Sequence, residues 1–430
     1  MAGGKGTRIS SIASGIPKPM IRIEGKPVLE HEIICLREQG FTDLIITVSH
    51  LGPIIMDYFG DGSKFGVKIQ YYNEERPLGN AGALFKLRDQ LTEDFLLINA
   101  DAIFDIDFNR LAAFHKKHGA LVTLFAHPNS HPYDSGLLIL DKNDYVRQWL
   151  TKEDVRPQWY KNRVNAGLHI VNPQVLDMTG INPEDIGKEI DGKILKVDLD
   201  RQILKPLCGS GRIICYTSPE YLKDMGTPDR YESVCRDFKE GRIKARNLQR
   251  KQKAIFLDRD GTINKYVGFL RDIDDFELLP GAAEAIREIN ESGYLAIVVT
   301  NQPVIARGEL SFEELERIHD KMETLLGEKG AYLNAVFFCP HHPDKGFAGE
   351  IKELKIACDC RKPKPGMLLK AARDYNIDLS QSWMIGDGEN DIKAGKMAGC
   401  KTILLGKGNY GQDVTAKDLL DAASRLLTLK

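Results

Sequence analysis

Along this chain, short unbroken apolar runs alternate with apolar residues set at helical spacing. The runs at 44–48 and 95–99 read as strands, each followed by a helical pattern, at 53–59 and 109–118. From residue 254 the alternation becomes regular. Strand-like segments at 254–257, 295–300, 336–339, 382–385 and 402–405 are separated by helix-like segments at 282–291, 312–326, 366–375 and 392–397. Short apolar runs suit strands buried on both faces, and the amphipathic stretches between them suit crossover helices. The pattern therefore predicts βαβ units, parallel sheets and an α/β fold. At 417–427, Leu419, Leu420, Ala423, Leu426 and Leu427 fall on one helical face and predict a terminal packing helix. Ligands of such sheets collect at the carboxyl ends of the strands, so acidic and glycine residues just past a strand are the first functional candidates.

Composition narrows the classes. At 430 residues, 42% hydrophobic and 28% charged, the chain is long enough for two or three globular domains and is not a disordered sequence. Lys+Arg 59 against Asp+Glu 61 gives a formal charge of −2, with no basic excess for nucleic acid or an anionic membrane. No run approaches the ~18 apolar residues of a membrane span, and the start lacks the layout of a secretory signal. Cytoplasmic work on small molecules is expected, with a homo-oligomer left open. The segment 238–253 carries seven Lys/Arg against Glu240 and reads as a solvated linker or a short exposed helix, giving predicted domains at 1–237 and 254–430.

The first candidate chemistry is a glycine-rich turn, Gly3-Gly4-Lys5-Gly6-Thr7-Arg8, whose backbone can approach an anion while Lys5 and Arg8 face phosphate oxygens. Downstream come Pro17-Lys18-Pro19, Gly79-Asn80-Ala81-Gly82, Asn99-Ala100-Asp101, Asn165-Ala166-Gly167 and Asp224-Met225-Gly226, in that order. At these residues the chain resembles the sugar-1-phosphate nucleotidylyltransferases over about residues 1–235. The resemblance implies an NTP and a sugar 1-phosphate as substrates and a nucleotide cradle built from Gly3, Gly4, Gly6, Gly79, Asn80 and Gly82. It further implies Mg²⁺ on Asp101 and Asp224, phosphate neutralisation by Arg8 and Lys18, and sugar contacts from Lys152, Asn165 and Gly167. Joining two anions is mostly a matter of positioning and charge neutralisation, which suits this residue set. The family has glycine where this chain has Ala100. It also places an apolar strand of about five residues before the glycine loop, so the natural start is expected upstream of Met1.

After the run at 254–257 stand Asp258-Arg259-Asp260-Gly261-Thr262. Carboxylates two apart at a strand end point the same way. One can attack phosphorus to form an aspartyl-phosphate, and the other can protonate the leaving oxygen and later activate water. Thr300, Lys362 and Asp387 follow, each at or near a strand end, with Asp391 placed to orient them. The set resembles the haloacid-dehalogenase-type phosphatases over about residues 254–408. That resemblance implies Asp258 as nucleophile, Asp260 as acid/base, and Mg²⁺ held by Asp258, Asp387 and the Asp260 carbonyl. About forty residues between Asp260 and Thr300 leave no room for a large cap. The loop around 264–275 is expected to contact substrate.

Of the eight cysteines, three lie with a histidine in two close pairs, Cys339-Pro340-His341 and Cys358-Asp359-Cys360. Three thiols and an imidazole suit a closed, structural Zn²⁺ site, with His342 as the alternative ligand, expected to face solvent. The spacing is similar to that of the D-glycero-D-manno-heptose 1,7-bisphosphate phosphatases and the histidinol-phosphate phosphatases. Arg361 and Lys362 favour a substrate with a second anionic group, and Arg361 and Asn301 are expected to bind it. Together the resemblances imply two Rossmann-like α/β domains: a nucleotidyltransferase-type mixed sheet, then a parallel phosphatase sheet with a zinc-clipped loop. The implied enzyme makes nucleotide-activated heptose, with GTP as the expected nucleotide and heptose 1,7-bisphosphate as the phosphatase substrate. Mannose 1-phosphate, histidinol phosphate and a non-catalytic sensing role for the first half stay open.

Overall fold

The computed structural model describes residues 12, 15–190 and 192–428. The chain forms two compact units. The first comprises residues 1–126, 138–149 and 165–247; the second comprises 127–137, 150–164 and 248–430. The expected linker at 238–253 is not free chain. The helix Pro228–Lys239 runs into it, Arg242–Ala245 adds a further turn, and the units divide between Asn247 and Leu248.

In the first unit, the strands Ile213–Thr217, Val122–His127, Val164–Val171, Leu137–Leu140 and Val146–Leu150 lie in that order in a six-stranded sheet, and Phe95–Ile98 pairs with Val164–Val171 from the side. Parallel and antiparallel neighbours both occur, so the sheet is mixed, as the resemblance implied. Strand alternation sorts the side chains: Val122, Leu124 and Ala126 enter one core, while Phe125 joins Phe108 and Leu111 in another. Phe108 and Leu111 come from the helix Phe108–His118. Its N-cap Asp107 accepts from the amides of Asn109 and Arg110, and Gly119 ends it in the left-handed conformation. A separate parallel pair, Asp43–Val48 with Lys68–Asn73, faces Phe95–Ile98 across a cavity of about 580 Å3 lined by consecutive residues of both edges. The pair Tyr221–Asp224 and Ala102–Asp105 is antiparallel.

The second unit is a six-stranded parallel sheet in the order Ala335–Cys339, Leu295–Asn301, Ala254–Leu257, Trp383–Gly386, Lys401–Leu405, Val414–Ala416. Strand order reverses between Ala254–Leu257 and Trp383–Gly386, which opens a crevice at their carboxyl ends. Ile255 and Leu257 pack with the helices Ala282–Ser292, Phe312–Glu328 and Leu419–Thr428, while Ala254 and Phe256 pack with Gly366–Asp374 and Glu389–Ala398. The long helix Phe312–Glu328 opens with a complete capping box between Ser311 and Glu314. Between Asp260 and Thr300 there is one short helical turn, Ile273–Asp275, before Ala282–Ser292, and no cap domain.

Ile286 is fully buried between sheet and helix. Ile286→Ala is expected to destabilise the second unit by about 2–5 kcal/mol, read as a lower urea midpoint at unchanged slope.

Candidate active sites and metal clip

The phosphatase-type site lies at the strand-order reversal. Asp258 and Asp387 follow the two strands that flank it, and Asp391 stands in the first turn of Glu389–Ala398. One oxygen from each of the three carboxylates falls within 4.8 Å of the others. The Lys362 ammonium, 2% exposed, lies 2.8 Å from Asp258 Oδ1 and 2.6 Å from Asp391 Oδ1. Burial, then the charge of Asp391, pushes the Asp258 carboxyl up to about 6, against the pull of Lys362. Partial burial and the Asp258 charge likewise raise Asp387 to about 6. Burial opposes the Lys362 charge, but the two carboxylates prevail and raise its pKa.

Asp260 differs. Burial pushes it up, yet Arg259, Asn264 and Gln302 together bring it below the usual carboxylate range. Thr300 Oγ1 accepts from Gln302 Nε2 at 3.0 Å, which leaves its own proton free to donate. The Asn301 amide was expected to meet substrate; here it accepts from the Lys362 amide at 3.0 Å and donates to the Lys362 carbonyl at 2.9 Å. Asn301 therefore fixes the main chain beneath the lysine. Arg361 donates to the His341 carbonyl at 3.3 Å. Two glycines are sterically required. A Cβ on Gly261 would lie 2.0 Å from Asp387 Oδ2, and one on Gly386 would lie 2.3 Å from the Asp391 carboxyl carbon.

The residues fit divalent ions. Clustered carboxylate oxygens are the donor set of a hard cation. In the second cluster, Cys339, Cys358 and Cys360 Sγ atoms stand 3.5, 3.2 and 3.3 Å apart, with His341 Nδ1 at 3.6 Å from Cys339 and 3.3 Å from Cys360. The edges of a tetrahedron around Zn²⁺ with ~2.3 Å Zn–S bonds are about 3.8 Å, so these four atoms need only a small expansion. His342, expected at the surface, is instead 6% exposed, and Arg307 Nη2 donates to its Nε2 at 3.2 Å. That arginine, stacked between Phe269 and Phe347, draws the ring inward and leaves His341 as the zinc candidate.

In the first unit the backbone register pairs Asp224 with Ala102, and the Met225 amide donates to the Asp101 carbonyl, which sets the two aspartates side by side in the chain ladder. Lys18 Nζ is 3.0 Å from Asp101 Oδ2, and Arg230 Nη1 is 2.8 Å from both Asp224 oxygens. Arg230, a turn after the Asp224 motif, was not anticipated from the sequence. Gly79 carries φ +87°, and a Cβ there would lie 2.2 Å from the Val197 carbonyl; Asn80 Oδ1 accepts from the Leu199 amide at 2.7 Å. The Gly79–Gly82 turn is thus seated on the segment at 197–199. Asn165 Oδ1 is buried without a hydrogen-bond partner. Gly167 backs onto Asn99, whereas Lys152 is exposed on a segment of the second unit. Gly3, Gly4, Gly6, Lys5 and Arg8 lie outside the described residues. No helix among the described residues is long and apolar enough to cross a membrane.

Gly261→Ala must displace Asp387, and misplacing a catalytic group by about 1 Å costs ~100-fold. Phosphate release is expected to fall by at least that factor with an unchanged circular dichroism spectrum. Metal analysis of the purified protein is expected to find zinc, which Cys358→Ser should remove.

The family described as Nucleotidyl transferase matches residues 1–240, and that described as HAD-hydrolase-like matches residues 359–425. The D-glycero-beta-D-manno-heptose-1,7-bisphosphate 7-phosphatase of Yersinia pestis is 42% identical over 164 residues, 38% of this chain and 84% of that protein. Among solved structures, the D,D-heptose 1.7-bisphosphate phosphatase from B. bronchiseptica, complexed with magnesium and phosphate, is 35% identical, with a TM-score of 0.37 over 42% of this chain and 100% of that one. HddC from Yersinia pseudotuberculosis is 23% identical, with a TM-score of 0.46 over 55% of this chain and 96% of that one. The chain therefore belongs to the nucleotidyl transferase family and carries a haloacid-dehalogenase-like phosphatase behind it, a transferase and a hydrolase in one polypeptide.

Proposed function

We propose that the second unit removes the 7-phosphate of D-glycero-D-manno-heptose 1,7-bisphosphate. The first unit would then transfer a nucleotidyl group, GMP from GTP, to the remaining heptose 1-phosphate, releasing pyrophosphate. The observation that carries this reading is the Lys362 ammonium between Asp258 and Asp391 at the strand-order reversal. It orients a nucleophilic oxygen and presents positive charge where a phosphoryl group would sit. The 42% identity to a heptose bisphosphate phosphatase supports the substrate.

In this reading Asp258 attacks phosphorus, and Asp260 gives a proton to the departing sugar oxygen and then takes one from the attacking water. Thr300 donates to a phosphoryl oxygen, and Lys362 offsets the charge on the transferring group. Mg²⁺, held when bound by Asp258, Asp387 and the Asp260 carbonyl, would neutralise further phosphate charge. The zinc clip on Cys339, His341, Cys358 and Cys360 would steady the loop that carries Arg361 and Lys362, and Arg361 would face the second anionic group of the substrate. In the first unit, Lys18 would meet triphosphate oxygens, Asp101 and Asp224 would hold Mg²⁺, and the unpartnered Asn165 carbonyl would take a sugar hydroxyl. Both substrates are soluble phosphates, so we place the work in the cytoplasm, supplying activated heptose for lipopolysaccharide or another surface glycan.

Product analysis tests this directly. Heptose 1,7-bisphosphate alone is expected to give the 1-phosphate and inorganic phosphate. Adding GTP should give GDP-heptose and pyrophosphate, while the other three NTPs give little. Heptose 7-phosphate as the product instead would overturn the phosphatase assignment. Asp101→Ala is expected to abolish pyrophosphate release and to leave phosphate release at its wild-type rate; equal pyrophosphate release by variant and wild type would overturn the transferase assignment.

A further inference from the structure

Arg259 lies between the two aspartates of its motif and is 0% exposed. A guanidinium this deep needs acceptors for its donors, and the structure supplies them from three directions. Nη2 donates to Asp260 Oδ2 at 2.8 Å and Oδ1 at 2.9 Å, and to Gln302 Oε1 at 3.1 Å. Nε donates to Asp260 Oδ1 at 3.3 Å, and Nη1 donates to His319 Nε2 at 3.2 Å. A guanidinium cannot accept, so His319 Nε2 is the unprotonated nitrogen. Burial and the Arg259 charge keep the ring neutral.

Neighbouring residues at a strand end point to opposite faces. Arg259 reaches Asp260 because its side chain is drawn round and anchored at its far end. His319, 6% exposed on Phe312–Glu328 with its ring against Phe338, is one anchor. Gln302 is the other, and its Nε2 also donates to Asp260 Oδ2 at 3.0 Å and to Thr300 Oγ1 at 3.0 Å. Asn264 Nδ2 completes the grip on Asp260 Oδ1 at 3.0 Å.

We propose that His319 and Gln302 are positioning residues of the phosphatase reaction: both fix the Arg259 guanidinium, and through it, with the direct bond from Gln302, the direction in which the Asp260 carboxyl group faces. This rests on the phosphatase reading above. In the first half-reaction an Asp258 oxygen bonds to phosphorus, the bond to the substrate oxygen breaks, and that oxygen takes a proton from Asp260, which is ionised at rest and draws that proton from solvent before the transfer. In the second, a water oxygen bonds to phosphorus and its proton passes to Asp260. The phosphorus–Asp258 bond breaks and returns its electron pair to the carboxylate. A misdirected Asp260 slows both halves for an alkyl phosphate. With p-nitrophenyl phosphate the leaving nitrophenolate needs no proton, so only the second half slows.

The test is rapid-mixing kinetics of full-length His319→Leu with p-nitrophenyl phosphate. The expected trace is a burst of about one nitrophenol per active site, followed by a steady rate lowered about 10–100-fold, a part of the ~100–10,000-fold that acid/base catalysis contributes. Wild type should show a smaller burst or none. His319→Gln, which offers Arg259 a neutral acceptor, should restore the wild-type trace. Gln302→Met should show the burst independently, should His319→Leu fold poorly. Variants that are slower without a burst, or that keep the wild-type rate, overturn the proposal. Wild type that hydrolyses no phosphomonoester overturns the phosphatase reading itself, so the two failures are distinct.

Discussion

The second unit is organised around an excess of negative charge that the fold forces into one crevice. Three carboxylates converge to within 4.8 Å because two strands end there and a helix begins there. At an effective dielectric near 20, each pair at that separation repels by about 3 kcal/mol. Lys362 answers this repulsion from inside the protein, touching Asp258 and Asp391 at once. The surrounding architecture serves that ammonium. Asn301 fixes its main chain from the neighbouring strand, and glycines at 261 and 386 let the carboxylates close in where any side chain would collide.

Asp260 is balanced by a different cation. Its partner Arg259 is rigidly sited, while Lys362 holds two acids through a single charge. Four carboxylates (Asp258, Asp260, Asp387, Asp391) against two cations (Arg259, Lys362) leave two negative charges when all are ionised. That remainder equals the charge of one divalent ion, which the clustered carboxylate oxygens suit as a donor set. Burial first, and the neighbouring carboxylate charges second, raise the carboxyls of Asp258 and Asp387. The first unit is arranged differently, with Lys18 on Asp101 and Arg230 on Asp224.

The alternation of apolar runs and helical spacing was enough to read the parallel sheet, because strands buried on both faces leave an unbroken signature. Asp258 and Asp387 were legible because each follows a strand, and Lys362 because it falls in order between them in the chain. Arg259, Gln302 and His319 were not. Their meeting depends on packing between a strand end and a helix, and no local spacing encodes it. His342 misled for a related reason. Beside a candidate zinc ligand it looked like a surface residue, but Arg307 arrives from a distant loop to bury it. Charge density at 238–253 left a linker and a short exposed helix open; the structure has the helical turn Arg242–Ala245, with Asn247 donating to Asp105 and Arg242 paired with Asp237.

The second unit also claims residues 127–137 and 150–164, which precede its sheet by about ninety positions or more. The Tyr160 amide donates to Thr324 Oγ1 at 2.8 Å and the Asn162 amide to Glu323 at 2.9 Å, both on the flank of Phe312–Glu328. A Cβ on Gly327 would meet Pro132 at 2.7 Å. Cutting the gene between codons 247 and 248 would therefore not yield a clean phosphatase. It would strip a helix of its covering, expose buried threonine and glutamate side chains, and leave the transferase fragment with two stranded loops. What reads as a tandem fusion is, at the level of the polypeptide, an interleaved one.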